Sequence, residues 1–299
     1  MTIASMRELL SQALRSGYAI GYYESWDQYS LEGAMEAAEE ASSPAIIGFG
    51  GAVTSRAWLD RGGVEDMSRL ARRLAERARV PTAVLFNEAQ SLDQIQRALA
   101  SGCNAVMLES ADLTFAENVA LTRQVVAMAR AFGATVEAEL GRLSDALDPH
   151  TSVVLTDPEE AARFVGLTGV DVLAVSIGNA HLVPSGEVPV NLELLGRIHA
   201  AVPIPLAIHG GTGFPRVAVQ AAIAQGVAKF NVGTRLKRLY LAGIREAMPD
   251  PMGVPNIHPF VGSREAEDVL LRGKERMKAE IVELMRLYGS AGQAACMPD

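Results

Sequence analysis

Only two cysteines occur in the 299 residues, Cys103 and Cys296. They stand far apart, without the short spacing of a metal-binding motif. This argues against a disulfide framework and a cysteine-built zinc site, and points to two free thiols in a reducing, cytoplasmic setting. An excess of basic residues is also lacking: 27 Lys and Arg stand against 35 Asp and Glu, a formal net charge of -8. With no basic patch and no RNA-binding motif, nucleic acid is not an expected partner. No segment approaches the ~18 uncharged apolar residues of a membrane span. Arg7, Glu8 and Arg15 interrupt the segment from Met1 to Ser16, which reads as an amphipathic helix and not as a signal peptide. Internal repeats and low-complexity tracts are absent too.

What is present is ample core material, 49% hydrophobic against 21% charged residues. Short, continuously apolar runs fall at 19–23, 45–49, 82–86, 105–108, 135–139, 172–176, 206–208 and 229–232. Such runs fit parallel strands buried on both faces. Helical patterns lie between them, at 31–41 (opening after Ser30), 67–79, 92–100, 115–131, 158–165, 192–201 and 215–224. Asp157-Pro158-Glu159-Glu160 is a helix start, with Asp as N-cap and Pro in the first turn. Eight strand–helix units predict an α/β fold, a single-domain (β/α)8 TIM barrel over about 17–247. A loop and an added C-terminal helix, within 248–299, complete the one domain. The charges interleaved along 269–287 suggest a solvated or subunit-facing helix. An open doubly wound sheet would need a glycine-rich fingerprint after the first strand, and Gly21-Tyr-Tyr-Glu is not one.

In a barrel the chemistry sits at the carboxyl ends of the strands. The strands deliver Glu24, then Asn87 and Glu88, Glu109, Glu137 and Glu139, His181, His209, and finally Asn231 and Thr234. Two strand-end histidines suit a metal, and the turn Gly210-Gly211-Thr212-Gly213 offers backbone N–H groups to an anion. His150, His199 and His258 sit in a loop, a helix and a Pro-rich stretch, and are read as structural.

Five segments carry a resemblance: Val136-Glu-Ala-Glu-Leu-Gly141, Gly178-Asn-Ala-His181, Pro205-Leu-Ala-Ile-His-Gly-Gly-Thr-Gly213, Val227-Ala-Lys-Phe-Asn231 and Gly289-Ser-Ala-Gly-Gln293. On these the chain resembles the class II (metal-dependent) fructose-bisphosphate aldolase family over nearly its whole length. The resemblance implies a zinc that polarises a ketose carbonyl and stabilises an enediolate, a carboxylic acid that shuttles a proton, and a phosphate held by the glycine turn. It implies that His181 and His209 are metal ligands and that Glu139 lies at the metal. It further implies that Gly210, Gly211, Thr212, Gly213 and Thr234 bind phosphate and that Asn231 touches the reacting carbons.

Several positions depart from the family pattern. The family's His-x-Asp-His is here Leu85-Phe-Asn-Glu88. Its catalytic aspartate becomes Asn87, which cannot transfer a proton. Its third metal histidine becomes Glu88, a replacement ligand or an acid–base group. Such an oxygen donor admits Mn²⁺ or Mg²⁺ beside Zn²⁺. Glu24 replaces an asparagine and Glu109 an aspartate. Leu182 and Ser185 replace a glycine and a lysine after His181. Gly233 replaces the strand-eight aspartate, with Arg235 nearby as a compensating cation for phosphate.

The expectation is therefore a class II aldolase-like lyase acting on a ketose phosphate or sugar acid, not on fructose 1,6-bisphosphate itself. Glu24 or Glu109 would do the acid–base work, and the protein would be a homo-oligomer. The alternatives are an isomerase or epimerase on the same scaffold, or a non-catalytic sugar-phosphate-binding subunit.

Overall fold

The computed structural model describes residues 3–147 and 152–296. His150 lies outside the described residues, as does the side chain of Cys296. Eight parallel strands close into a barrel: β1 (Ile20–Ser25), β2 (Ala45–Gly50), β3 (Thr82–Ala89), β4 (Ala105–Leu108), β5 (Thr135–Leu140), β6 (Val172–Val175), β7 (Leu206–Ile208) and β8 (Val227–Val232). Neighbours in sequence are neighbours in space, and β8 returns to β1 with Tyr22 opposite Asn231. Several strands run past their apolar stretch into polar residues. Asn87, for example, still pairs with Gly50 of β2.

Side chains alternate across each strand with a period of two. Ile20 and Tyr22, Ala83 and Leu85, Val172 and Ala174, and Ala207 belong to one buried cluster in the barrel's lower half. The helix Met6–Ser16 packs into that cluster through Met6, Leu9, Leu10 and Ala13 and so plugs the amino-terminal end. Two residues further along the same rows come Glu24, Asn87 and His209. The alternation that fills the lower barrel with apolar groups thus delivers polar ones to its upper rim.

Local signals set most of the helices. Asp157 caps Pro158–Thr168, accepting from the Glu159 and Glu160 N–H groups. The helix expected after Ser30 begins earlier, at Gln28. Asp27 is its N-cap, and Ser30 completes a reciprocal capping box from the third helical position. A two-stranded pairing of Ser144–Asp145 with Ala180–His181, unforeseen in sequence, ties the loop after β5 to the loop after β6. No helix among the described residues is long and apolar enough to cross a membrane.

The terminal helix, Val269–Tyr288, is not a solvated rod. It lies against Gln28–Glu40 and Thr234–Ala247 and buries Met277, Ile281, Met285 and Tyr288. Even Lys274 is buried, with its ammonium 2.6 Å from Glu36. The Tyr288 ring stacks on Phe230 of β8 at 4.7 Å between centroids. Tyr288→Ala is therefore expected to cost about 3–5 kcal/mol. A drop in the urea midpoint at unchanged m-value would show it, and an unchanged midpoint would refute it.

Candidate active site

His209 follows β7 and is only 1% exposed. Its Nε2 lies 2.8 Å from Glu137 Oε1 and its Nδ1 lies 3.1 Å from Glu88 Oε1. Glu137 in turn accepts from the fully buried Lys229 ammonium at 2.8 Å. Lys229 also donates to Asn231, whose amide nitrogen lies 2.9 Å from His209 Nε2. A carboxylate facing Nε2 keeps the proton on that nitrogen and turns Nδ1 toward the cavity.

Glu88, His181 and His209 each offer a ligand atom within 4.8 Å of the others. Glu88 reaches this position from a left-handed backbone, φ 53, rare for a non-glycine residue. Leu182, in the place of the family's glycine, keeps a left-handed φ of 54. Such strain costs of order 1–3 kcal/mol and tends to gather at functional sites. Gly210 (φ 68) is left-handed too, and a Cβ there would collide with the carbonyl of Ala180.

These residues open into a cavity of about 230 Å³ that is also lined by Glu24, Asn87, Thr212, Asn231 and Thr234. The Asn87 side-chain oxygen and the Tyr22 hydroxyl belong to its lining and are buried without a partner among the described residues. Gly210 and Thr212 present the glycine turn to the cavity, beside the first turn of Thr234–Ala247.

Burial alone would lower the pKa of His209, but hydrogen bonds to Glu137 and Glu88 outweigh it and raise it to about 10. Burial raises Glu88, yet the hydrogen bond and charge of His209 pull it down to about 2. Burial also pushes Glu139 up to about 8, with the charges of Glu109 and Glu88 adding to the effect. The carboxyl of Glu109 is raised by withdrawal from water and by the charge of Glu88.

Three expectations need correction. Glu139 stands outside the three-donor cluster, 4.0 Å from His209 Nδ1. Gly213 is buried against Val183, and its N–H closes the turn onto Gly210 at 3.1 Å, so it has no donor to spare. Gly211 and Arg235 face a neighbouring cavity, where Arg235 pairs with Glu280 of the terminal helix at 2.6 Å. Glu109 stands where expected, at the rim beyond β4, and accepts from the Ala111 N–H at 3.0 Å. The sequence reading missed Lys229, Lys237 and Arg238 as site residues and gave Glu137 no role. The one available signal was a lysine inside an apolar strand, two residues before Asn231.

The eight-stranded barrel and the strand-end carboxylate–histidine cluster define a TIM-barrel enzyme of metal-assisted type. The family profile described as "Fructose-bisphosphate aldolase class-II" matches residues 4–293. The chain is 32% identical over 295 residues to YdjI of Escherichia coli K12, covering 98% of this chain and 99% of YdjI. It is 32% identical over 299 residues to the fructose-bisphosphate aldolase of Geobacillus stearothermophilus, covering 99% and 100% of the two chains. The crystal structure of the YdjI aldolase superposes with a TM-score of 0.80 over 98% of this chain and 99% of that one. The chain belongs to the class II fructose-bisphosphate aldolase family, whose members are metal-dependent, and it is a lyase of the aldolase type.

Without metal, a His209 pKa near 10 keeps its imidazole protonated at neutral pH. A divalent cation at Nδ1 must displace that proton, so its affinity should fall as pH falls. Calorimetry at pH 7.5 in buffers of different ionisation enthalpy should report about one proton released per metal bound. Binding with no proton release would contradict the arrangement.

Proposed function

We propose that this protein makes or cleaves a carbon–carbon bond in a ketose phosphate or sugar acid, and that fructose 1,6-bisphosphate is not its preferred substrate. The observation that carries the reading is the convergence of Glu88, His181 and His209 in one cavity with Gly210 and Thr212 of the glycine turn. Two imidazoles and one carboxylate suit a divalent ion with an open coordination position. Zinc is the first choice, with Mn²⁺ and Mg²⁺ admitted by the oxygen donor. A cation bound there would supply Lewis acidity to a ketose carbonyl.

The protein's own groups do the rest. Glu137 and Lys229 hold His209 in one orientation. Asn231 approaches the same imidazole and lines the cavity where substrate carbons would lie. Asn87 offers its unpaired oxygen to a substrate hydroxyl and cannot carry a proton. Glu109 takes over proton transfer: it has no cation partner among the described residues, and its raised pKa suits a group that must both gain and lose a proton. Glu24 is tied instead to Lys237 at 2.7 Å. Against the bisphosphate stand Ser185 and Gly233, which lack the charge of the family's lysine and aspartate. The buried free thiol of Cys103 agrees with a cytoplasmic setting. Exposed apolar residues Val153, Val154 and Leu155 agree with burial between copies of the chain.

The test is metal-dependent exchange of a carbon-bound proton of dihydroxyacetone phosphate in heavy water, followed by NMR. Exchange should require metal and should vanish in His209→Ala together with bound metal. Glu109→Gln should lower the rate of bond cleavage by about 10²-fold or more with little change in KM. Full activity in a Glu24→Gln, Glu109→Gln double variant would overturn the proton-transfer assignment. No exchange in the metal-loaded protein would overturn the lyase mechanism.

A further inference from the structure

Arg235, the cation expected to compensate at the phosphate, is committed elsewhere. With Arg216 it faces Glu280 of the terminal helix, at 2.6 and 3.9 Å, across a separate cavity of about 220 Å³. A different pair of cations faces the candidate active site. Thr234, Lys237, Arg238 and Leu241 follow the i, i+3, i+4, i+7 spacing of one helix face. All four line the cavity that holds Glu88, His181 and His209. The Lys237 ammonium lies 2.7 Å from Glu24 and 5.5 Å over the Trp26 ring. Arg238 is exposed to the cavity and makes no ion pair or hydrogen bond among the described residues.

Glu24, Lys237 and Gly233 fit as a unit. A Cβ at Gly233 would collide with a Glu24 carboxylate oxygen, so this pose of Glu24 requires glycine there. The cavity lining also includes two buried polar atoms without a partner among the described residues, the Tyr22 hydroxyl and the Asn87 oxygen. Such atoms are rare unless a ligand or water satisfies them.

We propose that Lys237 and Arg238 form the cationic grip for a substrate phosphate monoester, with Glu24 as the counter-ion that holds Lys237 in place before the substrate arrives. The grip sits beside the Gly210–Thr212 turn and the amino-terminal end of Thr234–Ala247, where backbone N–H groups already favour an anion. With Glu24 paired to Lys237 the grip carries one net positive charge, and both cations can donate to phosphate oxygens. The proposal rests on the reading of the turn as an anion site given above.

Binding of inorganic phosphate to the metal-loaded protein tests it without turnover. Lys237→Met and Arg238→Met should each weaken phosphate about 10-fold or more, with metal content unchanged. Arg235→Met should stay within about 2-fold of wild type. Glu24→Gln should tighten phosphate, because it removes a competing negative charge while its amide oxygen can still accept from Lys237; weaker phosphate binding would overturn the counter-ion assignment. Acetate should bind at least about 10-fold more weakly than phosphate. Weakening by Arg235→Met alone would move the grip to the neighbouring cavity and overturn the proposal. Acetate binding as tight as phosphate would overturn the assignment to a phosphate and favour a carboxylate. Metal-dependent proton exchange without any phosphate binding would overturn the grip and leave the lyase reading standing. The predicted binding pattern without exchange would support the grip and sink the lyase mechanism.

Discussion

A charged chain buried on the barrel axis, Lys229 to Glu137 to His209, is the constraint on which the site depends. Lys229 and Glu137 are fully buried, and His209 nearly so. Charges out of water are tolerated only when each has a partner of good geometry. Here the ammonium meets Glu137 at 2.8 Å, the same carboxylate meets the imidazole at 2.8 Å, and Asn231 closes the group. Loss of Glu137 would strand the buried Lys229 ammonium. The chain also fixes which nitrogen of His209 faces the cavity, and so the direction in which a cation can be held.

Around this axis the acidic groups divide by environment. Glu88 stays ionised against His209, whereas Glu139, 4.0 Å from the same nitrogen and without a hydrogen bond to it, has its pKa raised to about 8 by burial. Glu109 keeps a raised pKa through partial burial of its carboxyl and the nearby charge of Glu88. Neighbouring carboxylates with separated proton affinities can assume different tasks, one as a ligand and another as a proton carrier.

The departures from the family pattern are coupled in space. Glu24 on β1 and Gly233 after β8 are far apart in sequence, yet the carboxylate of one fills the volume that a side chain on the other would need. Lys237, one turn further along the following helix, neutralises it. Glu88 and Leu182 flank the centre from opposite sides, both in the left-handed backbone that glycine adopts more readily. Both residues hold this backbone at the two edges of the ligand cluster.

The strand–helix order, the barrel and the strand-end residues were legible in the sequence because each follows from a local pattern. An apolar run bounded by turn residues marks a strand, and its last polar residue lands on the rim whatever the partner strand is. His181, His209 and the glycine turn could be placed in that way. The helix starting at Gln28 was read three residues late, because Ser30 resembles a cap and only the folded turn shows Asp27 in that role. Partnership was decided by tertiary structure alone. Whether Arg235 meets a phosphate or Glu280 depends on the packing of a helix that follows it by dozens of residues. Whether Glu139 or Glu88 completes the ligand set depends on strand register and on one left-handed residue. Lys229 gains its meaning only when β5 and β8 face each other across the barrel. Sequence patterns determine what each strand delivers to the rim; distances of a few ångströms between side chains from remote segments decide which of them can bind the same ion.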